Sequence, residues 1–253
     1  MKTPLILVSV SLASCAGFPA GQAPATPQRP TLSSSPDTTA EGTLEVETGL
    51  AVDPSDFVKW PTALKWGAGD HTELYAATSP WTHLRRGDVD GPEDLSLGLR
   101  HRILDETADH PAVAVQIANQ LPTGNRGKGL GSGGTQFFGA VAAAKGFGSE
   151  NLAAFYQLGL LDDPGGGRPD YEHDFAFTLT HRIDDRWSAY GELDAVLVRD
   201  RDVESLFTAL GAQFAVNPSV VLDAGIVVGM SRDAPDFQIV FGGTWNLGRP
   251  GRM

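Results

Sequence analysis

The sequence predicts an all-β protein, an up-and-down antiparallel transmembrane β-barrel of about 12 strands. Three observations favour this fold. Apolar and polar residues alternate through segments of about ten residues, turn-forming residues separate these segments, and the connections alternate between long and short. Because successive side chains of a β-strand point to opposite faces, the alternation gives each strand an apolar face and a polar face.

Two segments precede the predicted barrel. Residues 1–15 have the layout of a signal peptide, with one lysine, an apolar run over residues 5–13 and then small residues. Residues 12–15 also resemble the bacterial lipobox, which would make Cys15 the lipidated first residue of the mature chain. An ordinary signal peptide that is cut nearby is the alternative. Residues 16–41 are rich in Pro, Ala, Ser and Thr, so we expect a flexible tether.

Twelve strands are predicted within residues 42–248. Segment 149–161 also fits a helix with Ser149 as its N-cap, but the clear alternation of the flanking segments favours a strand. Turn residues such as Asp53-Pro54 and Asn217-Pro218 separate the strands. The predicted strands cover about 42–52, 56–66, 71–78, 93–104, 112–121, 135–145, 150–161, 171–183, 186–198, 203–216, 219–230 and 236–247.

The connections between these strands differ in length in a regular way. Long connections, such as residues 79–93, 122–134 and 162–170, alternate with short turns. Bacterial transmembrane barrels have short turns on the periplasmic side and long loops outside the cell. We therefore expect both ends of the barrel sequence on the periplasmic side, where a tether from Cys15 would reach the inner leaflet.

Alternation alone does not decide whether the apolar face meets a protein core or lipid. In a soluble lipocalin-like barrel the apolar residues point inward, and this remains an alternative. Strands of about ten residues match the length needed to cross a bilayer. Aromatic residues near predicted strand ends also fit the interfacial girdles of a membrane barrel. These residues are Trp60, Trp66, Trp81, Tyr171, Trp187 and Trp245.

The polar faces of the strands are expected to line a wet lumen. In the strand over 93–104, Leu95, Leu97 and Leu99 would face lipid. A charge on the lipid face near the midplane costs about 2–4 kcal/mol, so the charged residues should point inward. His101 shares the lipid face and is expected near an interface. The predicted lumen-lining residues are Glu45, Glu47, Glu73, Arg100, Arg102, Asp174, Tyr190, Glu192, Asp194 and Asp223.

The same strand carries a family resemblance. Residues 91–103 read Gly-x-x-Asp-Leu-x-Leu-Gly-x-Arg-x-x-Ile, and the next strand ends in Leu-Pro-Thr-Gly at 121–124. With further segments at 72–81, 186–197 and 239–248, the sequence resembles the outer-membrane family described as the MetA-pathway of phenol degradation. The resemblance implies a β-barrel that transports small, aromatic or hydrophobic compounds, and it implies no catalytic residues.

Several other classes of function are disfavoured. A net charge of -12 argues against nucleic-acid binding, and a single cysteine excludes an intramolecular disulfide. Asp88 and Asp90 offer oxygen ligands for calcium, but a solvated loop is favoured because the third spaced acid is missing. The glycines of 129–134 match a dinucleotide motif without a surrounding βαβ unit, so we expect a flexible external loop. No cofactor, metal or catalytic site is predicted.

These observations predict an outer-membrane protein of a Gram-negative bacterium, with the lipid bilayer and a small-molecule solute as its partners. The favoured function is a channel or uptake barrel for small compounds, selective through lumen width and charge. The alternative is a lipidated structural or ligand-binding barrel with a plugged lumen, in which the inward acidic residues pair with basic ones such as Arg100 and Arg102. The sequence does not determine the oligomeric state.

Overall fold

The computed structural model describes residues 23–162, 165, 167–198, 203–232, 234 and 236–250. The predicted signal peptide, Cys15 and the start of the predicted tether, 16–22, lie outside these residues. Twelve long antiparallel strands form a closed barrel in which each strand pairs with the next, and the last strand pairs with the first. This confirms the predicted fold.

The barrel strands are β1 (Leu44–Asp53), β3 (Thr62–Gly69), β4 (Thr72–Thr78), β7 (Leu95–Leu104), β8 (Ala112–Leu121), β9 (Gln136–Phe147), β10 (Glu150–Leu161), β11 (Asp170–Arg182), β12 (Trp187–Val198), β13 (Val203–Asn217), β14 (Val220–Gly229) and β15 (Phe237–Gly248). Three further strands are short and continue the sheet from β1. They are β2 (Phe57–Lys59), β5 (Thr82–Leu84) and β6 (Val89–Gly91). Segment 150–161 is a strand, as the alternation favoured.

One predicted strand is divided in two. The segment predicted over 56–66 forms β2 and then, after Pro61, β3. Proline lacks a backbone N–H and is disfavoured inside a sheet, which explains the break. The C-terminal part of β1 pairs with β2 and its N-terminal part pairs with β3. The barrel strand that neighbours β1 therefore begins at Thr62.

The two ends of the barrel differ as predicted. At one end, called the short-turn end, the connections are short, such as residues 148–149 and 218–219. At the other, called the long-loop end, the connection between β4 and β7 contains β5 and β6, and the connection between β8 and β9 contains a 3-10 turn at Arg126–Lys128. Among the described residues, no helix has the length and apolar character needed to cross a membrane.

The apolar face of the barrel points outward. Large apolar side chains on this face are widely exposed, for example Ile117 at 64% and Phe177 at 63%. On β7, Leu97 is exposed whereas Arg100 is 4% exposed and points inward. His101 faces outward beside Thr72, at the short-turn end, which agrees with its expected place near an interface. A soluble barrel would need the opposite orientation.

Aromatic residues form two girdles on this outer surface. Trp66, Trp187 and Trp245 lie towards the short-turn end, since they occur near β1's first residue, at the start of β12 and near the end of β15. The other girdle, at the long-loop end, consists of Trp60, Trp81 and Tyr171. Such girdles mark the two membrane interfaces of a barrel.

Candidate functional site

The barrel interior carries the polar residues that the alternation selected. All ten side chains predicted to line the lumen belong to inward-facing positions of their strands. Eight of the ten are buried, while Arg102 and Asp174 are partly buried. The buried ones are Glu45, Glu47, Glu73, Arg100, Tyr190, Glu192, Asp194 and Asp223. Their burial is unexpected for a water-filled channel and requires something else inside the barrel.

Residues 23–41, which we call the plug segment, occupy the lumen. The segment enters at the short-turn end, where the Ala25 N–H donates to the carbonyl of Pro218 over 2.8 Å. It reaches the middle of the barrel and then returns to the same end, where the Gly42 N–H donates to the carbonyl of Gly67 over 2.7 Å. The segment therefore forms a loop inside the barrel, and the expectation of a flexible tether does not hold for this part.

One side of the plug segment is held by the triad Glu45, Glu47 and Lys65. The Lys65 ammonium lies 2.5 Å from Glu45 and 2.8 Å from Glu47, and it donates to the carbonyl of Thr26 over 2.7 Å. The two carboxylates accept the backbone N–H groups of Thr26 and Gln28 over 2.8 Å and 3.0 Å. Buried charges are tolerated when they are both paired and hydrogen-bonded, and the plug backbone supplies those hydrogen bonds.

The opposite side is held mainly by Glu192. Its Oε1 atom accepts the Leu32 N–H over 2.7 Å, and its Oε2 atom accepts the Thr178 hydroxyl over 2.7 Å and a short hydrogen bond from the Ser33 hydroxyl. Tyr190 donates to the carbonyl of Pro30 over 3.2 Å. Strands β11 and β12 therefore contact the plug segment through its backbone groups and the hydroxyl group of Ser33.

A third attachment joins the returning half of the segment to β4 and β7. Arg100 donates to Glu73 over 3.0 Å, to the hydroxyl of Ser34 over 3.2 Å and to the carbonyl of Asp37 over 3.3 Å. The other oxygen of Glu73 accepts the Thr39 N–H over 2.9 Å. The buried pair Glu73 and Arg100 therefore has hydrogen-bond partners on both the wall and the plug segment.

Arg29 is the only basic residue of the plug segment. Its guanidinium lies 3.4 Å from the carboxylate of Asp223 and packs over two wall glycines, Gly49 and Gly242. A Cβ on Gly49 would lie 2.3 Å from the carbonyl oxygen of Phe241 and 2.7 Å from an Arg29 nitrogen, so a larger residue would clash with both the wall backbone and the guanidinium. Gln213 also donates to the carbonyl of Arg29 over 2.6 Å.

Sequence reasoning missed the plug residues because the segment has little apolar character. Arg29 was the one available signal, since a lone cation within residues 16–41 needs an acidic partner if it is buried. Lys65 is not among the predicted lumen-lining residues, although it has the same inward position on β3 as those residues have on their strands.

The long-loop end is narrowed by residues 122–135, which we call the mouth loop. Asp94 accepts hydrogen bonds from the N–H of Gly124 and from the N–H and hydroxyl of Ser132, each over 2.7 Å. Burial opposes the ionisation of Asp94, but these bonds outweigh it and lower its pKa. Leu130 of the loop is 4% exposed. The loop is therefore folded into the mouth, whereas a flexible external loop was expected.

This arrangement gives a physical account of the motif at 91–103 and 121–124. A Cβ on Gly124 would lie 2.2 Å from the carbonyl oxygen of Leu130, and a Cβ on Gly98 would lie 2.2 Å from the ring of Tyr75. The Thr123 hydroxyl accepts the Leu95 N–H over 2.9 Å. The two halves of the motif are therefore one structural unit that positions the mouth loop.

A cavity of about 490 Å³ lies between the plug segment and the mouth loop. Arg29 of the plug segment and Leu130 of the mouth loop both contribute to its lining. The remaining lining residues are Glu47, Pro61, Thr62, Ala63, Ala77, Thr78, Ser79, Glu93, Asp94, Ser96, Gln120, Gly129, Gly131 and Ser132.

Two acidic side chains lie near a histidine at the long-loop end. Asp88 and Asp90 lie 3.9 Å and 3.3 Å from the imidazole nitrogens of His83. Within the part of the chain that the structure describes, no group of three or more His, Cys, Asp or Glu residues has an arrangement able to hold a metal ion.

Among the solved structures compared, NanC porin supports the fold. The barrel is similar to the structure of NanC porin, with a TM-score of 0.57 and 12% identity, over 80% of this chain and 98% of that one. Omp33, an outer-membrane protein of Acinetobacter baumannii, aligns at a TM-score of 0.45 and 9% identity, over 81% of this chain and 98% of its own. Neither protein-family models nor curated proteins give a match.

The apolar outer band, the two aromatic girdles and this fold agree with one another. The protein has the fold of an outer-membrane β-barrel, which agrees with a location in the outer membrane of a Gram-negative bacterium. In bacterial barrels of this kind the short turns face the periplasm.

Proposed function

We propose that the protein is an outer-membrane uptake channel for small solutes and that the plug segment controls conduction. The observation that carries this proposal is the occupation of a polar lumen by residues 23–41. Hydrogen bonds or ion pairs join the segment to β1, β3, β4, β7, β11, β12, β13, β14 and β15. A solute would pass only when the segment moves.

The nature of these contacts supports a plug that can be displaced. They are hydrogen bonds and ion pairs to groups such as Glu47 and Glu192, which water would hydrate after displacement. Each such hydrogen bond contributes only about 0.5–1.5 kcal/mol net, or about 1.5–3 kcal/mol when one partner is charged. The one large apolar side chain of the segment, Leu32, is 46% exposed and does not anchor it.

The resemblance to the phenol-degradation family also supports a transport role, and the proposal assigns no catalytic step to the protein. Lipidation of Cys15 is part of the same proposal. Ala25 lies at the short-turn end, so the proposal places the chain that precedes the plug segment on the side of the inner leaflet. An acylated Cys15 would keep that chain close to the barrel entrance.

A reversible crosslink tests whether movement of the plug segment is required. The hydroxyl oxygens of Ser33 and Thr178 lie 3.4 Å apart, so Ser33→Cys with Thr178→Cys, in a Cys15→Ser background, should form a disulfide. We expect the oxidised protein to conduct at least about tenfold less than the same sample after reduction. The disulfide keeps the plug segment in the lumen, and reduction restores the equilibrium between the closed and open states. Planar-bilayer recordings with potassium chloride measure this difference.

The single variants Ser33→Cys and Thr178→Cys serve as controls, since neither can form the crosslink. Equal conductance before and after reduction would contradict control by the plug segment. The full chain should be used throughout, and a gel shift on boiling should show that each variant has folded as a barrel.

A permanently plugged structural or ligand-binding barrel is the second candidate. The many buried charges that the plug segment satisfies favour it, because leaving a buried charge uncompensated is costly. Absence of conductance in both the oxidised and the reduced protein, in a folded sample, would favour this candidate over the channel.

A further inference from the structure

A solute that enters from the long-loop end would meet the cavity between the mouth loop and the plug segment. The inference drawn from it rests on the proposed uptake function. Its volume of about 490 Å³ is within the range of about 300–1,000 Å³ that is typical of small-molecule sites. The cavity is therefore large enough for a small solute to bind before the plug segment moves.

The lining of this cavity is hydrophilic. Ser79, Ser96, Gln120 and Glu93 belong to it, and no aromatic residue among those that the structure describes does. The apolar contributors are small or few, namely Pro61, Ala63, Ala77 and Leu130. Aromatic and hydrophobic ligands are normally held by apolar and aromatic side chains, which supply most of the buried contact area.

The charges of the lining disfavour anions. Three carboxyl groups, of Glu47, Glu93 and Asp94, face one guanidinium, that of Arg29. Two of these charges are already neutralised, because Glu47 pairs with Lys65 and Arg29 pairs with Asp223. Asp94 keeps its negative charge, since hydrogen bonds lower its pKa, and Glu93 is only partly buried. The net charge of the lining groups that are not already paired is therefore negative.

From these observations we infer that the cavity binds small hydrophilic solutes that carry hydroxyl or amine groups and no net negative charge. Glu93 is the residue that favours a positive group, and the hydroxyl and amide groups bind the neutral part of the solute. This assignment differs from the aromatic or hydrophobic compounds that the family resemblance implies. Arg29 forms part of the floor, so a bound solute contacts the plug segment directly.

Four small probes distinguish the solute classes. Glucosamine is hydroxylated and cationic, glucose is neutral, glucuronate is anionic, and phenol is aromatic. Saturation-transfer NMR and equilibrium dialysis on the full chain in detergent micelles would give their relative affinities. We expect glucosamine to bind most tightly, glucose to bind more weakly, and glucuronate and phenol to bind least.

The variant Glu93→Gln tests the source of the charge preference. It should weaken glucosamine binding by about three- to tenfold, because a partly exposed charge pair is lost, and should change glucose binding by less than about twofold. Asp109→Asn is the matched control, since Asp109 is an exposed acid in the β7–β8 turn at the opposite end of the barrel. It should change neither affinity.

Tighter binding of phenol or glucuronate than of glucosamine would overturn the inference, and so would failure of all four probes to bind. These results are separate from the crosslink test. Failure of binding in a protein whose conductance responds to reduction would overturn the solute assignment alone. Binding of glucosamine in a protein whose conductance ignores the crosslink would contradict only the proposed function.

Discussion

The plug segment and the mouth loop fill the lumen from opposite ends, but they are held differently. Residues 23–41 are attached at many separate points, through Glu45, Glu47, Glu73 and Glu192 among others. The mouth loop depends mainly on one carboxylate, that of Asp94. Distributed attachment tolerates the loss of any single group, whereas a loop gathered around one carboxylate does not. The two regions should therefore respond very differently to single substitutions.

The largest effect is expected for Asp94→Ala. Each hydrogen bond to a charged group contributes about 1.5–3 kcal/mol. Removing the carboxylate that accepts from Gly124 and Ser132 should therefore increase the fraction of molecules with an open mouth loop by at least about tenfold. Trypsin cleavage after Arg126 and Lys128, measured on folded protein by mass spectrometry, reports this opening. An unchanged cleavage rate would show that other contacts hold the loop.

Acidification should loosen the same loop without a mutation. The pKa of Asp94 is lowered in the folded protein, so its stabilising contribution is present above the unfolded pKa, about 4, and is lost as the pH falls through the lower folded value. Below about pH 4 the mouth loop should therefore open several-fold more often, as measured by amide hydrogen exchange at Gly124 and Ser132. Asp94→Asn should lack this acid-dependent increase, and a persistent increase in that variant would assign it to another group.

Glu192→Ala should have an intermediate effect on the plug segment. It removes the acceptor of Leu32 and Ser33, but the contacts of Glu47 and Arg100 remain. We expect the open probability in planar bilayers to rise by about three- to tenfold, which corresponds to about 0.7–1.4 kcal/mol. The control is Asp184→Asn, in the β11–β12 turn. A rise of a hundredfold or more would mean that attachment of the segment is concentrated rather than distributed.

The smallest effect is expected for Glu45→Gln. Lys65 keeps Glu47 as its ion-pair partner, and the glutamine carbonyl still accepts a hydrogen bond from Thr26. The pair of Glu45 and Lys65 joins two wall strands and is present whether or not the plug segment is seated, so the open probability should change by less than about twofold. A larger change than that of Glu192→Ala would reverse the order of the two attachments.

Much of the barrel follows from local alternation. The predicted bounds of β8 and β10 agree with the structure, and the inward positions of Arg100 and Glu192 follow from which neighbours are apolar. Residue 61 shows the limit of this reasoning, because a proline inside an otherwise alternating segment divided one predicted strand into two. The bounds of a strand and the facing of its side chains are local properties, and so the sequence reveals them.

The occupants of the lumen were beyond such reasoning. Flexibility was predicted for residues 16–41 from their composition and for residues 129–134 from their glycines. Neither segment has enough apolar residues to form a core. Closure of the barrel changes this, because it gathers charges from strands far apart in the sequence around each segment. Leu32, for example, donates to Glu192, 160 residues away.

By itself, then, the sequence determined the number of barrel strands, the approximate bounds of most of them and which side chains share a face, because a period of two residues is set within each strand. Only the tertiary structure decided that the lumen is filled from both ends and leaves a hydrophilic cavity between the two fillings. The physical reason is that polar segments become ordered only when distant charged groups surround them, and no local pattern encodes that arrangement.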